Sequence, residues 1–172
     1  MNYAETKSLL ADHQWNYWFT GFCDGEASFT FRLEQKSRRA RPRFKLCLQQ
    51  DSALIQEVFS LFAFGSAPGE FTPRALRNGI AYAPRAEWDV NAVSSCIQLV
   101  EFFHAYPLRS HKRQDFLIWA ELVAEAASPR PDRTRLNTIA MRLSQTRCSG
   151  HSRTAQATLR QWLPCDERGC EL

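Results

Sequence analysis

Two carboxylates and two glycines crowd one short stretch near the N-terminus, Trp18-Phe-Thr-Gly-Phe-Cys-Asp-Gly-Glu-Ala-Ser-Phe29. Gly21 and Gly25 are four residues apart and fall on one side of a helix, where small residues let two helix backbones approach closely. Asp24 and Glu26 place negative charge where that helix ends. Charge of this sign opposes the helix dipole, so helix stability does not ask for it there. A divalent cation does: Mg²⁺ takes one or two carboxylates and keeps positions for water and phosphate. A glycine-based helix stop followed by solvated acids fits the same residues, and spacing alone does not separate the two. A second group lies near the C-terminus. Cys148-Ser-Gly-His151, followed by Cys165 and Cys170, has the residue types of a structural Cys₃His Zn²⁺ site. Its paired spacings are loose, and unrelated cysteines in a helical extension fit as well.

The elements that must position these groups are legible from periodicity. Asp12 can cap a helix whose apolar stripe is Trp15, Trp18, Phe19 and Phe22, ending at Asp24–Gly25. Ser28–Lys36 then alternates, with Phe29, Phe31 and Leu33 on one side and Thr30, Arg32, Glu34 and Lys36 on the other. A basic turn over Ser37–Pro42 leads to a second alternating run, Arg43–Gln49. There Phe44, Leu46 and Leu48 face in, and Arg43, Lys45 and Gln49 face out. Asp51 or Ser52 caps a second helix with Leu54, Ile55, Val58, Phe59 and Phe62 inward, and Gly65 reads as its stop. Two short strands with edge character follow near Glu70–Leu76 and Ala81–Val90, with Trp88 and Val90 inward and Arg85 and Glu87 outward. A third helix starts at Asn91 and uses Val93, Ile97, Val100 and Phe103. Ser110 caps a fourth, which uses Phe116, Trp119, Ala120 and Val123. Arg133–Gln145 and Arg153–Leu163 read as the last two helices.

This order predicts an α+β fold: an antiparallel sheet with helices packed on one face. The other face then carries Arg32, Lys36, Arg43, Lys45, Arg74 and Arg85. The chain of 172 residues has a net charge of only +4, but its cations are concentrated in Arg38, Arg39, Arg41, Arg43 and Lys45 and again in Arg74, Arg77 and Arg85. So many cations on one sheet face exceed what solvation needs and point to nucleic acid. An RNA-stacking sheet would place paired aromatics outward, whereas Phe29 and Phe31 face in. No apolar run reaches the length of a membrane span, so no membrane partner is expected. The N-terminal residues lack the pattern of an export signal. An intracellular, reducing compartment follows, a prokaryotic cytoplasm or an organelle, with Cys23, Cys47 and Cys96 as small core residues. A core domain over 1–128 and a helical C-terminal extension with a polar tail over 129–172 are the expected units.

Phe19-Thr-Gly-Phe-Cys-Asp-Gly-Glu-Ala27 resembles the motif of the LAGLIDADG homing endonuclease family, and Tyr106-Pro-Leu-Arg-Ser-His-Lys-Arg-Gln-Asp-Phe-Leu-Ile-Trp119 resembles a second stretch of that family. The resemblance covers roughly residues 12–125. It implies an αββαββα fold with a saddle-shaped sheet that lies along the major groove of double-stranded DNA. The motif is single, so the resemblance implies a homodimer on an approximately palindromic target, as in intron homing, with Phe19, Thr20, Gly21, Asp24 and Gly25 at the helix pair. It makes Glu26 the ligand of Mg²⁺ or another divalent cation, with the Gly25 carbonyl in reach, and Gln50 a partner of the water network. Where the family usually has lysine directly after the serine, this chain has His111 and then Lys112. Either is a candidate for the basic catalytic group. Arg32 and Arg43 become candidates for guanine edges and Gln49 for adenine. Thr30, Glu34, Lys36, Arg38, Arg39, Arg41, Lys45, Arg74, Arg77, Arg85 and Glu87 become candidates for further base or phosphate contacts. The implied activity is hydrolysis of both DNA strands. The alternative is a non-cutting member acting as an intron splicing factor (maturase) or a DNA-binding regulator, and Glu26 favours cutting.

Overall fold

The computed structural model describes residues 12–49, 51–72, 83–146 and 150–163. Over these the order is α1 (His13–Glu26), β1 (Ala27–Glu34), β2 (Arg39–Gln49), α2 (Ser52–Phe62), β3 (Ser66–Phe71), β4 (Arg85–Val90), α3 (Val93–Ala105), α4 (Lys112–Ala126), α5 (Arg133–Gln145) and α6 (Gly150–Trp162). The expected mixed fold is observed. The four strands form one antiparallel sheet in the order β1-β2-β4-β3, and the first seven elements run αββαββα. No helix among the described residues is long and apolar enough to cross a membrane.

Strand alternation sets the two faces. Phe29, Ala40, Phe44, Leu46, Ala86, Trp88 and Val90 are buried at 2% exposure or less. Against them the helices lay an aromatic core. Phe29 packs on Phe44, on Phe103 of α3, and on Phe116 and Trp119 of α4, with ring centroids 5.2–5.4 Å apart. Phe62 of α2 stacks on Trp88 at 5.1 Å. Each such side chain contributes roughly 1.5–3 kcal/mol on burial.

β2 starts at Arg39, so the expected turn over Ser37–Pro42 shrinks to residues 35–38, with Arg38 in the left-handed region at φ 50°. Pro42 therefore lies inside a strand. It is tolerated because β4 pairs only with Phe44–Gln49. The backbone N–H groups of alternate residues point to the same edge. Ala40 N–H, on the edge that β4 does not reach, donates to Asn137 Oδ1 at 2.9 Å, and Pro42, two residues on, has no N–H to satisfy there. Asn137 of α5 also donates from Nδ2 to the Arg38 carbonyl at 3.0 Å. Ala140, Met141, Leu159 and Leu163 close over Ala40, Phe31 and Leu33, so α5 and α6 cover this end of the hairpin.

Other boundaries also moved. β3 begins at Ser66 rather than near Glu70. α2 stops because Ala63 turns left-handed at φ 56°, not at Gly65. Gly65, at φ +88°, lies so close to Trp88 that an added Cβ would sit 2.6 Å from its Nε1. On α3 the buried stripe is Cys96, Leu99 and Phe103, and Ile97 is exposed. Cys47 projects from the outer sheet face, half-buried, because it shares the parity of Arg43 and Lys45. Only Cys23 and Cys96 are core residues as expected.

Candidate active site and nucleic-acid interface

Asp12 starts α1 by accepting from the Gln14 and Trp15 amides at 2.8 and 3.4 Å. The helix buries Asn16, Phe19, Thr20 and Cys23. Trp18, Gly21 and Gly25 are exposed and Phe22 half-buried, so the opposite face carries a stripe at helical spacing. Trp18 and Phe22 stack on each other on that face, 5.4 Å apart with planes within 7°. The expected apolar stripe is thus split: Phe19 enters the core, and Trp18 faces outward. Phe19 and Thr20, expected at a helix pair between chains, face this chain's own core instead. Phe19 is fully buried, and the Thr20 hydroxyl donates to the Tyr106 carbonyl at 3.2 Å. Among the described residues nothing lies within 4 Å of a Cβ built on Gly21 or Gly25.

The C-terminal end of α1 is joined to the N-terminus of α4. Asp24, also expected at the helix pair, accepts from the Arg109 amide at 2.8 Å and from the Ser110 hydroxyl at 2.7 Å, and also from the Ser110 amide. Ser110 Oγ in turn accepts from the Lys112 amide at 3.1 Å, capping α4 as its sequence suggested. This linkage brings Lys112 Nζ onto the carbonyls at the end of α1, donating to Gly25 at 2.9 Å and to Cys23, which also accepts the Ala27 amide, at 3.2 Å. A cation at a helix C-terminus is favourable with the dipole. Glu26, the last residue of α1, stays exposed. It opens onto a concavity lined also by Cys47, Leu48, Gln49 and Arg85, so the structure brings together three of the expected site residues, Glu26, Gln49 and Arg85. His111 lines a separate depression with Gln114, Asp115, Ile118 and Arg142. Gln50, Arg74, Arg77, Cys148, Cys165 and Cys170 lie outside the described residues, as does the side chain of His151.

The outer sheet face carries Thr30, Arg32, Glu34, Arg39, Arg41, Arg43, Lys45, Gln49, Arg85 and Glu87, as the alternation requires; Lys36 and Arg38 sit in the β1–β2 turn. Its cations are partly neutralised. Glu34 pairs with Arg39 at 2.9 Å and Arg41 at 3.5 Å. Hydrogen bonds from Ser37 and Arg39 hold its carboxyl below the usual range. Arg43 pairs with Asp89 and Glu87, and Lys45 with Glu87. The Asp89 bond raises the Arg43 pKa further. Arg32 faces Arg41 directly across the strands. Burial pushes the thiols of Cys23 and Cys47 up, and that of Cys96 to about 12, so all three are protonated at neutral pH. Sequence reasoning missed Asp89 and the outward Trp18. Extending the alternation of β4 by one step past Glu87 would have found Asp89.

The family model described as LAGLIDADG endonuclease matches residues 19–123, the span from α1 into α4. No curated protein sequence matches the chain. Among solved structures, the homing endonuclease I-TnaI is similar at a TM-score of 0.61 and 18% identity, over 86% of this chain and 97% of that one. The archaeal intron-encoded homing endonuclease I-Vdi141I, complexed with DNA, is similar at 0.63 and 16%, over 86% of this chain and 95% of that one. The meganuclease I-SmaMI, bound to uncleaveable DNA, is similar at 0.62 and 18%, over 87% of this chain and 49% of that one. At these identities the likeness is one of fold. The chain spans almost all of the first two and about half of the third.

Proposed function

The chain belongs to the LAGLIDADG endonuclease family, and on that premise we propose that it is a homodimeric, site-specific endonuclease that cuts both strands of a long, nearly palindromic DNA target. The observation that carries this reading is the exposed Glu26 at the end of α1, beside Lys112 and at the edge of a cation-rich sheet face. The donors fit a hard divalent cation such as Mg²⁺: a free carboxylate, and next to it the Gly25 carbonyl, whose second lone pair the Lys112 contact leaves open. Among the described residues no group of three or more His, Cys, Asp or Glu lies together. Glu26 is the one acid among the described residues that line the concavity, and a second would come from the partner's copy of the same helix. A divalent cation held by Glu26 and the Gly25 carbonyl would supply polarisation of the scissile phosphate and a lowered pKa for an attacking water.

In this arrangement Glu26 binds the cation, and Lys112, fixed through Ser110 and Asp24, offsets charge developing on the phosphate. The sheet face holds the duplex by its arginines and lysines, so affinity falls as salt rises. The test is cleavage, with Mg²⁺, of DNA carrying the chain's own intron-insertion site. Wild type cuts both strands, and Glu26→Gln binds with similar affinity without cutting. Equal cleavage by both proteins would sink the role of Glu26, and binding without cleavage by the wild type would favour a maturase or DNA-binding regulator.

A further inference from the structure

One cluster on the sheet face has a form that the general need for positive charge does not explain. Arg43, in the middle of β2, donates from Nε to both carboxylate oxygens of Asp89 at 3.0 Å and from Nη2 to the same carboxylate. Nη2 also reaches Glu87 Oε1 at 3.3 Å. Asp89 is held in turn by Asn91 Nδ2 at 2.8 Å, and Glu87 by Lys45. The side chains of Asp89 and Glu87 are 15% and 16% exposed, and that of Arg43 is 29% exposed.

A carboxylate on a surface that receives phosphates weakens DNA binding, since it removes part of the attraction that releases counterions. Two of them beneath one arginine therefore do something other than raise affinity. The bidentate grip on the Nε–Nη2 edge fixes the plane of the guanidinium, a geometry lysine cannot reproduce. Nη1 makes no hydrogen bond among the described residues, and a base that displaces the 3.3 Å Glu87 contact meets the parallel N–H groups of Nη1 and Nη2 at the end of the fork. Two parallel N–H donors held in a plane match the O6 and N7 acceptors of guanine. Adenine presents N7 beside a donor amine and does not match.

We infer that Asp89 is a positioning residue for specificity: it orients Arg43 to read one guanine in each half of the target, at the expense of overall affinity. This rests on the endonuclease reading above. The ordering of Arg43 occurs before DNA arrives, so less side-chain freedom is lost on binding.

The test uses the full chain, Mg²⁺ and a randomised duplex DNA library, with bound and cut molecules both sequenced. Wild type is expected to prefer guanine at one position per half-site by roughly ten- to a hundredfold, the range of a bidentate arginine–guanine pair. Arg43→Lys and Asp89→Asn should both flatten that same position to within about threefold and leave the others unchanged. Asp89→Asn should also bind unrelated duplex more tightly, by a few fold, because a negative charge has left the DNA face. Asp89→Glu keeps the charge and lengthens the arm by a methylene. It should weaken the guanine preference without the gain on unrelated duplex, which separates positioning from charge. Thermal melting checks that each variant is folded. Guanine preference intact in folded Asp89→Asn, or different positions altered by Arg43→Lys and Asp89→Asn, would overturn the inference alone. If Asp89→Asn does not fold, Arg43→Lys with no loss of a guanine position overturns it. A wild type that enriches no sequence, bound or cut, would overturn the endonuclease reading with it.

Discussion

Lys112 and His111 are neighbours in sequence, but their side chains serve different surfaces. Lys112 Nζ lies on the carbonyls that end α1, while His111 lines the depression between α4 and α5. Lys112→Ala should therefore slow single-turnover cleavage by about 10²–10³-fold, the usual loss for one charge-stabilising donor, with DNA affinity changed only a few fold. His111→Ala should stay within a few fold of wild type. The opposite ranking would transfer the basic role to His111. Arg32 permits a test of opposite signs. It faces Arg41 directly across β1 and β2, a like-charge pair that destabilises the free protein by roughly 0.2–1 kcal/mol. Arg32→Thr should raise the melting temperature slightly and weaken DNA binding together; weaker binding with lower stability would make Arg32 a structural residue. At this scale the sequence was informative where chemistry follows from type and parity. Glu26 stood out because its charge opposes the dipole, and the outer cations followed from a period of two. It was silent where a residue's partner decides its role. Asp89 reads as one more acid until the β2–β4 register brings it beside Arg43. Trp15, Trp18, Phe19 and Phe22 form one apolar arc of about 100° on a helix, and nothing in the string says that the edge of the chain's own core runs through it, with Phe19 inside and Trp18 outside.

Two boundaries and one side-chain orientation show where contacts in the fold override local signals. The hairpin turn looked long because Pro42 argues against a central strand. The strand continues through it only because Asn137, almost a hundred residues on, satisfies the Ala40 amide on the edge β4 does not reach. The outward parity of Cys47 was available from the alternation of Arg43 and Lys45, and was overridden by the usual preference of cysteine for the interior. Gly65 illustrates the same limit, since its position after α2 suggested a helix stop. In the fold Ala63 takes the left-handed turn, and Gly65 admits Trp88, whose Nε1 donates to the Phe64 carbonyl at 2.8 Å. Gly65→Ala should therefore cost at least about 2 kcal/mol, from a positive φ and from a Cβ that displaces a buried tryptophan. For a chain of this size that lowers the melting temperature by roughly 4–8 °C. A change below 1 °C would mean that the α2–β3 connection moves aside freely. Gly21 and Gly25, with open space around their Cβ positions, carry no such constraint among the described residues.

At the scale of the whole molecule that open space becomes the main argument for assembly. Gly21 and Gly25 are exposed between Trp18, 46% exposed, and Glu26, on a face that nothing in this chain covers among the described residues. Within one chain the glycines are a cost: each disfavours a helix by about 1 kcal/mol relative to alanine. Trp18, the outer ring of the pair it forms with half-buried Phe22, is left in water beside them. Both features make sense if a second α1 packs here, because residues as small as glycine let two backbones approach closely and bring two Glu26 carboxylates to one site. Gly21→Leu separates the chain's own stability from its assembly. A Cβ there meets nothing within 4 Å among the described residues, and leucine favours a helix over glycine, so the isolated fold should be as stable as wild type or slightly more so. The dimer should be lost, giving a monomer by sedimentation at micromolar concentration, and double-strand cleavage should fall with it. A Gly21→Leu protein that keeps the wild-type mass and still cuts would place the subunit contact elsewhere. A wild type that is itself monomeric would leave Trp18, Gly21 and Gly25 without a partner.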